Sequence, residues 1–151
     1  GEQEKRLRPG TESSPLIAGF GAAVKALPNV NEKKKKNKEL NLYARQKLAE
    51  IDGIKFNNDE DTSPYILNVY IPTFMRSQTV LQELSAKYGV YVSNGSACAK
   101  GKKSHVLTAM GLPNEIIDKS IRVSFSRYNT KDDVDLLASS LDELVKTHPL
   151  K

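Results

Sequence analysis

Residues 120–146 read Ser120-Ile-Arg-Val-Ser-Phe125, then Ser126-Arg-Tyr-Asn-Thr130, then KDDVDLLASSLDELVK ending at Lys146. The first six residues alternate as a half-buried strand does. Asn129 and Thr130 are helix-capping residues, and acids fill the turn that follows. Val134, Leu137, Leu141, Leu144 and Val145 then recur at helical spacing. A strand feeding an amphipathic helix needs another layer to bury both apolar faces, so the rest of the chain must supply one.

Working outward, Tyr65–Ile71 (YILNVYI) is β-branched and aromatic and stops at Pro72, which predicts a second strand. Ser77–Tyr88 predicts a helix with Val80, Leu81 and Leu84 inward, and Gly89 leads into a short strand over Val90–Val92. Upstream, Asn31–Ile51 predicts a helix with Leu40, Tyr43, Ala44, Leu48 and Ile51 on one face. Asp52-Gly53 ends it, and Ile54–Phe56 reads as a short strand. Pro15–Leu27 predicts a helix started by Ser13 or Ser14 and ended by Pro28. Its Gly19 and Gly21 cost helix propensity and are expected where another element packs closely. Gly1–Ser14 reads as a loop, His105–Met110 as a short helix closed by Gly111, and Pro113 or Asn114 as the start of another turn. The expected fold class is α/β, an α+β sandwich with a short mixed or antiparallel sheet and helices packed on it.

The chain has 151 residues, of which 38% are hydrophobic and 27% charged, the balance of a globular domain rather than a disordered chain. No apolar run approaches the ~20 residues that span a bilayer, and the polar start is not a secretory signal. The net charge of +5 is too small to make a nucleic-acid binder by itself, and no aromatic–basic interleaving supports one. The excess sits at Lys33–Lys38 and Lys100–Lys103. The first run reads as a solvated helix start or a contact for an anionic partner. One cysteine excludes an internal disulfide and suits a reducing cytoplasm. With only two histidines besides, no zinc centre is expected.

Cys98 lies among small residues in Ser93-Asn-Gly-Ser-Ala-Cys98, with Lys100, Lys102 and Lys103 close behind. Thiolate is the reactive form of cysteine, and nearby cations favour it. The residues alone allow a reachable nucleophile or an incidental cysteine. His105, seven positions on, could serve as a base or simply start a helix. His148 is expected to be solvent-exposed. Arg122, between two inward apolar residues, is expected on the opposite strand face, where its planar fork suits a carboxylate or an ordinary ion pair. Arg8-Pro-Gly-Thr11, just before a helix, can be a phosphate-holding turn or only a turn.

Together these segments resemble the NifS/IscS type of cysteine desulfurase, in the class-V aminotransferase family. Glu2-Gln-Glu-Lys-Arg-Leu-Arg-Pro-Gly-Thr-Glu12 is similar to that family's G-G-G-Q-E-x-x-x-R-x-G-T segment. Ser93–Cys98 is similar to its S-x-G-S-A-C loop, and Val106-Leu107 with Ala109-Met-Gly-Leu112 to the V-L-x-A-x-G-L stretch that follows. Asn68, in Ile66-Leu-Asn-Val69, fits an N-I-L-N strand, and residues 120–130 fit S-I-R-x-S with its following acidic helix.

The resemblance implies the small C-terminal domain of a fold type I transferase that depends on pyridoxal phosphate and works as a homodimer. Residues 29–151 would form that domain, and 1–28 the segment leading from a cofactor-binding large domain. It implies conversion of L-cysteine to L-alanine, with sulfur left on Cys98 as a persulfide. The sulfur would pass to an acceptor protein, a scaffold for iron–sulfur clusters or a tRNA- or cofactor-thiolating enzyme. Cys98 would be the catalytic nucleophile, Arg122 and Asn68 would bind substrate, and Thr11 with Gly10 would contact the cofactor phosphate. The family's S-x-H-K lysine motif has no counterpart here, so the chain alone is expected to be inactive. Ser126 stands where the family has glycine. A stand-alone sulfur carrier without cofactor chemistry, or part of a selenocysteine lyase, are the alternative readings.

Overall fold

A computed structural model describes residues 3–7, 10–27, 29–95 and 104–150. The chain divides into two compact units, residues 1–33 and 34–151.

In the first unit, Gln3–Arg6 makes a single turn with Glu4, Lys5 and Arg6 at positive φ, where a loop is expected. Helix α1 (Ser14–Lys25) follows, with Ser13 at its N-cap and Pro15 in the first turn, where a missing N–H costs nothing. Helix α1 buries none of its residues, and Leu16 and Phe20 are about three-quarters exposed. A Cβ on Gly19 or Gly21 would meet no atom within 4 Å, so the close packing expected at these glycines is not found. Helix α2 (Val30–Ala49) begins here and continues into the second unit.

The second unit contains strands β1 (Lys55–Phe56), β2 (Ile66–Tyr70) and β3 (Ser120–Ser124), in one antiparallel sheet of order β1-β2-β3. Helices α3 (Ser77–Tyr88), α4 (His105–Ala109), α5 (Asn114–Asp118) and α6 (Lys131–Thr147) complete it. Leu67 and Val69 of β2, with Ile121 and Val123 of β3, point to one sheet face and are buried. They form a single core with Leu40, Ala44 and Leu48 of α2, Val80 and Leu84 of α3, and Val134, Leu137, Leu141 and Leu144 of α6. The apolar positions expected on α2, α3 and α6 are those that pack. Thr130 and Asp133 cap α6 reciprocally: each accepts the other's backbone N–H, which satisfies two donors that the helix start leaves open.

Val90–Val92 does not become a strand. Gly89, at φ 66°, ends α3 in the left-handed conformation, and the Val90 N–H turns back to the Leu84 carbonyl. Extended pairing begins only at Ser93, as an isolated bridge to Arg122. His148 is half-buried rather than exposed, with its ring centroid 5.6 Å from that of Phe74. No described helix is long and apolar enough to cross a membrane.

Candidate functional site

Alternation along β2 and β3 puts Ile66, Asn68 and Tyr70, with Ser120, Arg122 and Ser124, on the sheet face away from the core. Arg122 therefore lies on the opposite face from Ile121 and Val123, as its place in the sequence predicts. Asn68 and Arg122 are direct cross-strand partners. The Asn68 carbonyl accepts the Asn57 N–H at 2.9 Å, and the Asn68 N–H donates to Asn58 Oδ1 at 2.7 Å. On the other edge, the Arg122 N–H donates to the Ser93 carbonyl, and the Ser93 N–H donates to the Arg122 carbonyl at 3.1 Å. The backbone polar groups of Asn68 and Arg122 thus turn away from each other. Such pairs are the closely spaced kind, with Cα atoms about 4.5 Å apart and side chains adjacent.

Beneath this pair runs a polar network. Asn57 Nδ2 donates to Asn68 Oδ1 at 2.7 Å and to Ser120 Oγ at 2.8 Å. The fully buried Ser120 hydroxyl donates in turn to the Ile116 carbonyl at 2.7 Å. With its oxygen held by Asn57, the Asn68 carboxamide has its Nδ2 donors left for a ligand.

Asn68 and Arg122 line a cavity of about 270 Å³ whose other walls include Ile66, Val106, Leu107 and Met110. Among the described lining residues, Arg122 is the only charged group. Its Nε is buried and has no hydrogen-bond partner. A buried donor left unmet costs about 1–3 kcal/mol. A cation with an unmet donor, beside an amide donor and without a lining carboxylate, is set up for an anionic ligand that forks across the guanidinium. The mostly apolar walls suit a small acid with a short apolar body.

The same cavity touches both ends of a chain segment. Gly95, at φ 75°, donates its N–H to Ser93 Oγ at 3.1 Å. A Cβ on Gly95 would lie 3.5 Å from Ser104 Oγ, and the positive φ itself disfavours any other residue there. Ser104 is buried and caps α4 by accepting the Leu107 N–H at 3.4 Å. Residues 95 and 104 are thus neighbours, and both line the cavity.

Of the residues singled out in the sequence, Asn68 and Arg122 are brought together. Cys98 falls outside the described residues. Gly10 and Thr11 belong to the first unit, in the turn before α1, with Gly10 at φ 118° and Thr11 exposed. His105 is exposed at the start of α4. Sequence reasoning missed Asn57, Ser120, Ser93 and Ser104. Asn and Ser beside turns usually cap or turn the backbone, so nothing in their type marks a site until the register is known.

The sequence profile described as aminotransferase class-V matches residues 1–137. The cysteine desulfurase IscS of Methanosarcina thermophila is 36% identical over 150 residues, covering 97% of this chain and 37% of the relative. The putative cysteine desulfurase IscS 1 of Bacillus subtilis is 37% identical over 153 residues, covering 97% and 40%. The chain therefore spans well under half the length of these curated relatives. Among solved structures, a NifS-like protein from Rickettsia africae superposes with a TM-score of 0.78 at 32% identity, over 97% of this chain and 38% of that one. The cysteine desulfurase CsdA of Escherichia coli, at 24% identity, shares the fold with a TM-score of 0.71, over 96% and 34%. The match along most of its length establishes that the chain belongs to the class-V aminotransferase family.

Proposed function

We propose that this chain is the small-domain part of a pyridoxal-phosphate-dependent cysteine desulfurase and supplies its substrate-carboxylate site and its sulfur-accepting thiol. The observation that carries the reading is the Asn68–Arg122 pair, in a cavity that also touches both ends of the cysteine segment. Cys98 follows Gly95 by three residues in the sequence. Arg122 takes the carboxylate of L-cysteine in its planar fork, and Asn68 donates to the same group. Cys98, as thiolate, receives the substrate sulfur: a persulfide S–S bond forms as the substrate C–S bond breaks, the C–S electron pair stays with the carbon, and that carbon takes up a proton to become the methyl group of alanine. The persulfide then passes to a sulfur-acceptor protein.

The turn before α1 fits one end of the cofactor. Gly10, at φ 118°, is followed by the exposed Thr11, whose hydroxyl is the type of group that binds a phosphate ester. Pyridoxal phosphate, when bound, supplies the electron sink for breaking bonds of an amino acid. In this reading residues 1–28 carry that phosphate contact and 29–151 form the small domain. In the same reading this chain provides the acid-binding end of the site, through Arg122 and Asn68. With pyridoxal phosphate and L-cysteine added, it is expected to release no alanine above a Cys98→Ala control. Cys98-dependent alanine, detected by amino-acid analysis, would refute that division of labour.

The nucleophile is tested on the chain as it is. The rate of Cys98 alkylation by iodoacetamide, followed across pH, is expected to show a midpoint below the ~8.5 of a free thiol, because three lysines follow it closely. A midpoint at or above that value would rule out an activated thiol.

A further inference from the structure

We propose that Asn57 is a positioning residue that fixes which end of the Asn68 carboxamide faces the bound carboxylate. This rests on the reading of the Asn68–Arg122 cavity given above. A carboxamide is nearly symmetric in shape but not in chemistry: one end donates, the other accepts. Turned the wrong way, Asn68 would set its oxygen against a carboxylate oxygen and repel it. Nothing in a strand pair chooses between the two orientations, because either amide end fits the same space.

Asn57 makes that choice. Its Nδ2 has two hydrogens, one directed to Asn68 Oδ1 at 2.7 Å and one to Ser120 Oγ at 2.8 Å. Ser120 is fully buried and its own hydrogen goes to the Ile116 carbonyl at 2.7 Å, so its oxygen is presented to Asn57 as an acceptor. The α5 carbonyl therefore fixes the direction of the Ser120 hydroxyl. The hydroxyl fixes Asn57, and Asn57 fixes Asn68. The Asn57 backbone is itself held, its N–H bonded to the Asn68 carbonyl at 2.9 Å. Asn57 donates at both of its links, to Ser120 and to Asn68, so the end of Asn68 left beside Arg122 is its pair of N–H groups. Asn57 lies behind Asn68 and does not line the cavity, so its effect on a ligand passes through Asn68.

The test is binding of sodium propionate, a carboxylate with a short apolar tail, to the isotopically labelled chain. The Arg122 Nε–H and Asn68 Nδ2–H₂ resonances are followed by NMR. In the unaltered chain both are expected to shift saturably. Asn57→Ala, which frees Asn68 to turn, is expected to weaken binding about tenfold, the worth of one hydrogen bond to a charged group. Asn57→Asp keeps the shape but offers only acceptors. It should pull the Asn68 donors inward, turn Asn68 Oδ1 to the ligand and weaken binding further than alanine does. Being isosteric, it also carries the test if the alanine variant does not fold. Saturable binding that both variants retain within twofold would overturn the positioning role while leaving the cavity reading intact. Absence of any saturable shift in the unaltered chain would overturn both. Losses that follow each variant's urea-denaturation stability, rather than the order alanine then aspartate, would reduce Asn57 to a structural residue.

Discussion

Arg122→Met is expected to make the chain more stable while removing its capacity to hold a carboxylate. Arg122 lies in the middle of β3, with Ile121 and Val123 on either side in the core, and its Nε is buried with no partner. In the unliganded chain that donor has given up water and received nothing back, a penalty of about 1–3 kcal/mol. Methionine follows much of the arginine stem and brings no donor to leave unmet. Some packing of the planar group is lost, so the expected net gain is about 1 kcal/mol, read as a higher urea midpoint at unchanged slope. Carboxylate binding falls beyond detection, because the only charged group among the described lining residues is gone. Arg122→Lys separates charge from geometry: it keeps the cation but not the fork, and binding should recover only in part. A destabilisation above about 1 kcal/mol in the methionine variant would mean the donor is satisfied in the free chain. Propionate affinity left unchanged would remove Arg122 from the site.

The site is thus stored strain of a chemical kind, and this explains why it was only half legible. Arg122 could be picked out because an arginine flanked by core residues must turn to the other face of its strand. Asn68 could be picked out by its resemblance to a strand motif. That the two are partners depends on the register between strands some fifty residues apart in the chain, which no local pattern encodes. Asn57, Ser120, Ser93 and Ser104 are small polar residues beside turns, where local hydrogen bonding is the ordinary explanation. Strand pairing places Ser93 and Ser120 beside Asn68 and Arg122, and Asn57 and Ser104 reach the same site from the end of β1 and the N-cap of α4. The same logic separates the elements that were legible from those that were not. Helices α2, α3 and α6 each turn a periodic apolar face to a shared core, so period and burial agree. Val90–Val92 has strand composition, but the left-handed turn at Gly89 spends its first N–H on α3, and pairing starts too late to make a strand. Helix α1 is legible as a helix, while its glycines mislead, because composition says a surface is apolar without saying what covers it.

That contrast gives the second large effect. Ile121→Ala is expected to cost about 4 kcal/mol, and Phe20→Ala no more than about 0.5. Ile121 is fully buried, pairs across the sheet with Val69 and shares the core with residues of α2, α3 and α6. Removing three carbons there forfeits their transfer energy and leaves a hole that a sheet pinned on both edges cannot close. Val69 is held by β3 on one side and β1 on the other, and the Arg122 backbone is tied to Ser93. Phe20 is the larger side chain, and its deletion would be the more damaging if apolar size alone mattered. It is 74% exposed, on a helix that buries none of its residues, so little transfer energy is there to lose. At 2–4 °C per kcal/mol for a domain of this size, Ile121→Ala should melt roughly 8–16 °C lower and Phe20→Ala within about 2 °C of the parent. The measurement is thermal unfolding by circular dichroism, repeated at two protein concentrations. Equal losses at the two positions would show that α1 is packed in solution as firmly as β3. A small loss at Ile121 would show that the sheet repacks. Because Ile121 and Arg122 are consecutive on one strand, the core that Ile121 anchors is also what aims the arginine. Propionate binding by Ile121→Ala, measured well below its melting temperature, should therefore weaken as well, although position 121 faces away from the cavity.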